Sequence, residues 1–187
     1  MCTEQSEAMT KAEIVNVIAT ASINQEMDFD ALRQAKEIFH DSDVYGGRVA
    51  YFKKAGMQGK VSIFASGKLI SIGTKSESQA FNELETTATF LAEKKFAKPA
   101  KLEPRIRNIV VRIDLERVIS LEKLVENHAS IIYEPVQFPA AKLHLEKPFK
   151  ASILIFSSGK AIITGLTSSK QIKRTIVQLE AFIGQNE

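Results

Sequence analysis

Few residues of this chain are placed to do covalent chemistry. Its one cysteine, Cys2, lies near the N-terminus and has no intramolecular partner for a disulfide or a multi-cysteine zinc site. The three histidines, His40, His128 and His144, stand 88 and 16 residues apart, too far for a short metal-ligand spacing. Gly67-Lys68-Leu69 and Gly159-Lys160-Ala161 look like the end of a phosphate-binding loop, but each lacks the Ser or Thr that must follow the lysine. No Ser/His/Asp or Cys/His arrangement stands out, and the carboxylates are dispersed. The expectation is a protein without catalytic activity, cofactor or metal, whose function resides in a binding surface.

Composition bounds the class of that surface. The chain has 187 residues, 44% hydrophobic and 25% charged, enough for one ordinary domain or two small ones. No apolar run approaches the ~20 residues needed to span a bilayer, and residues 1–10 lack a basic region followed by an apolar stretch. A soluble, intracellular protein with no membrane partner is expected. Residues 1–92 carry 9 Lys+Arg against 12 Asp+Glu, and residues 93–187 carry 16 against 10. The second half is thus suited to a polyanion, although a solvated face of mixed charge gives the same balance.

The paired Gly-Lys turns belong to a longer repetition. Shifted by 92 positions, Ile14-Val15-Asn16-Val17-Ile18 falls on Ile106-Arg107-Asn108-Ile109-Val110. Ile63, Phe64, Ser66, Gly67, Lys68, Ile70, Gly73, Ser76, Gln79 and Phe90 meet identical residues at 155, 156, 158, 159, 160, 162, 165, 168, 171 and 182. One shift that aligns start, middle and end implies a tandem duplication. We expect repeats over 11–100 and 101–184, with disordered tails at 1–10 and 185–187.

Each repeat reads the same way. β-Branched runs at 14–23 and 106–113 predict strands. Helical spacing follows over 28–39 and 120–128, with Asp28 and Ser120 as N-caps. Strands are expected over 44–52 and 137–145, then hairpins at 61–74 and 152–166 that turn at Gly67 and Gly159. Amphipathic helices close the repeats at 76–94 and 168–184. The fold class is α+β with an antiparallel sheet.

Antiparallel sheets usually have one dry face and one wet face. Here Ile153-Leu154-Ile155-Phe156 and Ala161-Ile162-Ile163-Thr164 are apolar at almost every position. Two helices per repeat can cover one face only, so Leu154, Phe156, Ile162 and their counterparts should remain open. Such a surface marks a binding site or an oligomer contact.

These residues resemble the TATA-binding protein family in its short archaeal form, across roughly residues 12–184. The resemblance rests on Ile14-Val15-Asn16-Val17 with Arg107-Asn108-Ile109-Val110, on Tyr133-Glu134-Pro135-Val136-Gln137-Phe138-Pro139, and on the tandem Ile-Phe-x-Ser-Gly-Lys hairpins. It implies two pseudo-symmetric repeats forming a saddle, with a curved ten-stranded antiparallel sheet below and four helices on the convex side. It also implies a general transcription initiation factor that binds the minor groove of TATA-like promoter DNA, kinks it by aromatic insertion and assembles with transcription factor B and RNA polymerase. Minor-groove kinking is a known property of that family and is not read from this sequence. An archaeal, cytoplasmic and nucleoid-associated protein is implied, or a nuclear one if the source is eukaryotic. A homodimer without DNA is compatible with the apolar face.

The resemblance implies residue roles. Asn16 and Asn108 would donate to minor-groove acceptors. Phe138 with Phe156, and Tyr45 with Phe64, match the family's wedge positions; Tyr45 is aligned to Phe138 by a one-residue adjustment of the shift. Ile18, Val110, Ile70 and Ile162 would lie against sugars and bases, joined by Leu154 and Thr164 in the second repeat, where the first has Ser62 and Ile72. Lys68 and Lys160 would reach phosphates. The arginine expected six residues beyond each wedge aromatic is Tyr51 in one repeat and His144 in the other. Glu134 matches a contact to transcription factor B. Other roles remain open: a paralogue with altered site preference, a protein-interaction module using the apolar face, or the non-catalytic neighbour of a DNA-repair glycosylase.

Overall fold

Period-two burial organises the strands. In β9 (Ala151–Phe156) residues 151, 153 and 155 are buried while 152, 154 and 156 are half-buried; β10 (Lys160–Leu166) buries 161 and 163 and half-exposes 162 and 164. Successive side chains of a strand leave opposite faces. The near-continuous apolar runs therefore supply two apolar faces, only one of which is sealed. The same pattern governs β4 (Lys60–Phe64) and β5 (Lys68–Thr74), where Val61, Ile63, Leu69 and Ser71 are buried and Ser62, Phe64, Ile70 and Ile72 are half-buried.

The computed structural model describes residues 11–43, 45–127 and 131–184, with the backbone alone at Tyr45 and Asn127. Cys2, His128, the two tails and the Tyr45 side chain lie outside that set. The remaining elements are β1 (Lys11–Ser22), α1 (Phe29–Leu32), β2 (Ile38–His40), β3 (Val49–Phe52), α2 (Glu77–Glu93), β6 (Arg105–Asp114), α3 (Leu121–Asn127), β7 (Ile131–Ile132), β8 (Ala140–Leu145) and α4 (Ile172–Gly184). Ten strands form one sheet in the order β2-β3-β4-β5-β1-β6-β10-β9-β8-β7. The chain divides into two compact units. One holds residues 14–109 with 167–169; the other holds 110–166 and 170–184 together with the described residues 11–13.

In the first half α2 supplies the cover. Ser76 caps it by accepting the Gln79 N–H at 3.2 Å. Its Phe90 ring meets Phe52 of β3 at 4.6 Å between centroids, so the helix lies on the sealed face. Glu83, 4% exposed, accepts the Gly59 N–H at 2.8 Å and the Ser71 hydroxyl at 3.3 Å. A Cβ on Gly59 would strike the Ile72 carbonyl, which fixes glycine there. In the second half α3 packs on β7 and β8, and α4 buries Thr175, Leu179 and Ile183.

Three sequence expectations need correction. The helix expected over 28–39 is only Phe29–Leu32, capped as anticipated by Asp28, whose Oδ1 accepts from Asp30 and Ala31. Tight turns follow, with Gln34 N donating to Ala31 O and Ile38 N to Ala35 O, and the chain enters the unforeseen strand β2. The three-residue spacing of Leu32, Ala35 and Ile38 suits a helix and successive tight turns equally, and pairing of Ile38 with Phe52 decides for the latter. The strand expected over 44–52 begins only at Val49, because Gly46 and Gly47 take φ of +61° and +70° in a 3-10 turn. The strand expected over 137–145 begins at Ala140, after a turn in which Gln137 and Phe138 both donate to Glu134 O at 2.9 Å.

Two outcomes test this packing. Glu83→Ala leaves a buried N–H and a buried hydroxyl without their acceptor and should lose about 1–3 kcal/mol in urea unfolding. Ile155→Ser, on the sealed face, should lose about 3 kcal/mol or more, whereas its neighbour Leu154→Ser should lose about 1 kcal/mol or less.

Candidate nucleic-acid interface

The open faces follow from strand register. In the second half Ile162 pairs with Leu154, and Leu154 with Lys142, which pairs in turn with Ile132. Phe156 lies opposite Ala140, and Ser152 lies between His144 and Thr164. Thr164 donates its hydroxyl to Ser152 O at 3.4 Å, and Ser152 Oγ lies 3.0 Å from His144 Nδ1. Phe138 stands beside this row, 47% exposed, its ring centroid 6.2 Å from that of Phe156 and inclined by 62°. An edge-on arrangement of this kind is a favoured geometry for two aromatic rings. Glu134 contributes through its main chain as well: its carbonyl holds the turn that delivers Phe138 to the sheet. The Glu134 side chain is exposed.

The corresponding row of the first half runs Phe39–Tyr51–Ser62–Ile70–Thr20. Phe64 lies opposite Val49, and Ile72 opposite Lys60. Lys60 Nζ sits 4.4 Å from the Tyr51 ring centroid. Ile18 is half-buried, as is Asn16, whose Oδ1 accepts the Gly73 N–H at 2.9 Å. That bond orients the amide and leaves its NH₂ end to donate. Asn108 and Val110 are half-buried on β6, on either side of buried Ile109. Lys68 and Lys160 open β5 and β10, both exposed, directly after Gly67 and Gly159 in the left-handed region. A Cβ on either glycine would collide with a backbone carbonyl, that of Gln25 or of Arg117, so the lysine positions are fixed by these turns.

Register also revises one equivalence. Val49 pairs with Phe64 as Ala140 pairs with Phe156, so Tyr51 is the counterpart of Lys142, and Lys53 that of His144. Upstream, Phe39 pairs with Tyr51 as Ile132 pairs with Lys142. The connection is therefore residues 40–48 in the first half and 133–139 in the second, two residues longer in the first. The earlier match of Tyr51 to His144 fails because those extra residues fall before the strand. A cation, Lys53, does stand at the position compared with the family's arginine. Within the longer connection linear spacing cannot assign Tyr45.

Phe39 (63% exposed), Tyr51, Lys60, Ile132 and Lys142 belong to the open faces but were not singled out from sequence. Alternation around a correctly placed β2 and β7 would have found them. His40 is engaged locally, taking the Arg33 Nε–H at 2.9 Å and lying 2.8 Å from Gly47 O. No group of three or more His, Cys, Asp or Glu side chains that could hold a metal occurs among the described residues. No helix among them is long and apolar enough to cross a membrane.

The family model for transcription factor TFIID, or TATA-binding protein, matches residues 11–94 and 103–184. A TATA-box-binding protein of Cenarchaeum symbiosum is 32% identical over 170 residues, covering 91% of this chain and 92% of the relative. One from Aeropyrum pernix is 29% identical over 188 residues, covering 95% and 91%. The solved structure of the Methanococcus jannaschii protein superposes with a TM-score of 0.81 at 26% identity, covering 94% of this chain and 99% of that one. The chain belongs to the TATA-binding protein family, a family of DNA-binding transcription factors.

Proposed function

We propose that this chain is a general transcription initiation factor that seats A·T-rich promoter DNA, minor groove first, on the open faces of its two repeats, 11–100 and 101–184. The observation that carries the reading is the row of half-buried apolar side chains, Leu154, Phe156 and Ile162 with Phe138 beside them, on strands whose alternate residues are sealed. An A·T pair shows only acceptors in the minor groove, whereas G·C adds the guanine amino donor. An apolar face cannot accept that donor, so close packing favours A·T. Asn16 and Asn108 supply donors to A N3 and T O2, and Ile18, Val110, Ile70 and Thr164 fill the contact. Lys68 and Lys160 fix register on phosphates without reading sequence.

Phe138 and Phe156 enter a base step as a wedge, and Phe64 with Tyr45 does so in the first repeat. Family members that insert such wedges spend a few kcal/mol on unstacking, offset by the larger contact a bent duplex makes. Transcription factor B then binds the loop containing Glu134, and RNA polymerase joins the assembly. The open face of the first repeat departs from that of the second, with Ser62 opposite Tyr51 where Leu154 lies opposite Lys142. This difference favours a paralogue with an altered site preference as the second reading.

A gel-shift and end-labelled FRET assay on a TATA-like duplex and its G·C-substituted form tests both claims, with and without transcription factor B. The TATA-like site should bind tighter. Phe156→Ala and Phe138→Ala should abolish bending, with a smaller loss for Tyr45→Ala, whose hydroxyl makes it the poorer wedge. Equal binding of both duplexes rejects the specificity, and intact bending in all three variants rejects the wedges.

A further inference from the structure

Four cations gather where the entry to β6 meets the β1–β5 pairing of the first half. Lys68 lies opposite Ser22 in the pairing of β5 with β1, one row beyond Ile70 and Thr20. Lys101 and Arg105 flank Glu103 in the segment that leads into β6, and Arg107 donates its Nε–H to Thr20 Oγ1 at 2.9 Å. These side chains line a cleft of about 480 Å³ together with Thr20, Ala21, Ser22, Asn24 and the one carboxylate, Glu103. No salt bridge joins any of the four to Glu103 or to another described carboxylate.

The repeat supplies an internal control. Shifted by 92 residues, Glu103, Arg105, Thr20 and Asn24 become Lys11, Glu13, Arg112 and Glu116. In the second half these groups neutralise one another: Lys11 Nζ lies 2.8 Å from Glu116 Oε1, and Arg112 Nη2 lies 2.6 Å from Glu13 Oε2. The Glu116 carboxylate accordingly raises the Lys11 pKa. One of the two matching corners is thus closed by its own ion pairs, and the other is a cleft whose four cations have no salt bridge. Neighbouring guanidinium and ammonium groups without counter-ions repel one another, and a phosphate relieves that repulsion with charge-assisted hydrogen bonds to the arginine forks.

We infer that the cleft lined by Lys68, Lys101, Arg105 and Arg107 is a phosphate-binding site for the DNA sugar-phosphate backbone, an anchor missing from the matching corner, where Lys11 pairs with Glu116 and Arg112 with Glu13. The inference rests on the proposed function, because continuity with the Ile70–Thr20 row is what assigns the phosphate to a duplex lying on the open face. A pseudo-symmetric surface would then hold the backbone more strongly through its first half.

The test compares DNA affinity across about 50–200 mM salt for the wild type, Lys101→Ala/Arg105→Ala, the triple variant that adds Arg107→Ala, and Lys11→Ala/Arg112→Ala as the ion-paired control. Each phosphate contact contributes roughly 0.9 to the slope of log K against log salt. The triple variant should flatten that slope by about 2 and weaken low-salt binding about tenfold or more, while the control changes it by less than about 0.5. Arg105→Lys, which keeps the charge, should retain the wild-type slope. Replacing single phosphates by neutral methylphosphonates should weaken the wild type at one or two positions, and the triple variant should be indifferent there. A wild-type slope in a well-folded triple variant overturns the inference while leaving the function intact. Loss of transcription factor B binding with DNA affinity unchanged also overturns it, assigning the cleft to an acidic protein surface. Failure of the wild-type protein to bind any duplex rejects the functional reading, and this site with it.

Discussion

A β-strand sends alternate side chains to opposite faces, and this chain fills both sets with apolar atoms while sealing only one. Everything else in the molecule accommodates that imbalance. Ile153, Ile155, Ala161 and Ile163 are withdrawn from solvent, so the strands are held from one side. Leu154, Phe156 and Ile162 contribute little to that core and keep water-facing apolar surface that folding alone does not require. A surface of this kind persists where a partner fills it. In this family that partner is DNA, and an A·T pair presents only acceptors in its minor groove, which an apolar face with a few amide donors can satisfy.

The two repeats satisfy the same constraint with different side chains. The second presents a compact aromatic pair, Phe138 and Phe156, delivered by a turn in which the Glu134 carbonyl gathers two N–H groups. The first presents a more dispersed set: Phe39 and Tyr51 at the outer strands, Lys60 over the Tyr51 ring, and Ser62 where the second repeat has Leu154. Its connection before β3 is two residues longer and bends at Gly46 and Gly47. Charge diverges too, with ion pairs Lys11–Glu116 and Arg112–Glu13 at one corner and cations without salt bridges at the matching one. Duplication explains the common scaffold, and these substitutions show where the halves have separated in chemistry.

Much of the scaffold was legible in the residues. The 92-residue repetition, the Gly67 and Gly159 hairpins, the Asp28 cap and the long closing helices could be read because each depends on local chemistry: positive φ, an orphan N–H, an amphipathic stripe. What was not legible depends on pairing across the sheet. The short strands β2 and β7 offer too few residues for alternation to declare itself, and β2 hid inside a three-residue spacing that imitates a helix. Missing them displaced the comparison of Tyr51 with His144 and concealed Phe39 and Ile132. The Lys68–Arg107 cleft was likewise out of reach, since its walls come from three segments that only β1–β5 pairing and the entry to β6 bring together.

The central claim, that an uncovered apolar sheet face reads the minor groove, is tested most directly by inosine. A duplex in which every A·T pair of the site is replaced by I·C keeps the A·T pattern in the minor groove and presents the G·C pattern in the major groove. Titrated against the TATA-like and G·C-substituted duplexes, the I·C duplex should bind within about threefold of the TATA-like site and far tighter than the G·C site. Binding as weak as that of the G·C duplex would contradict the account, because the discrimination would then arise in the major groove.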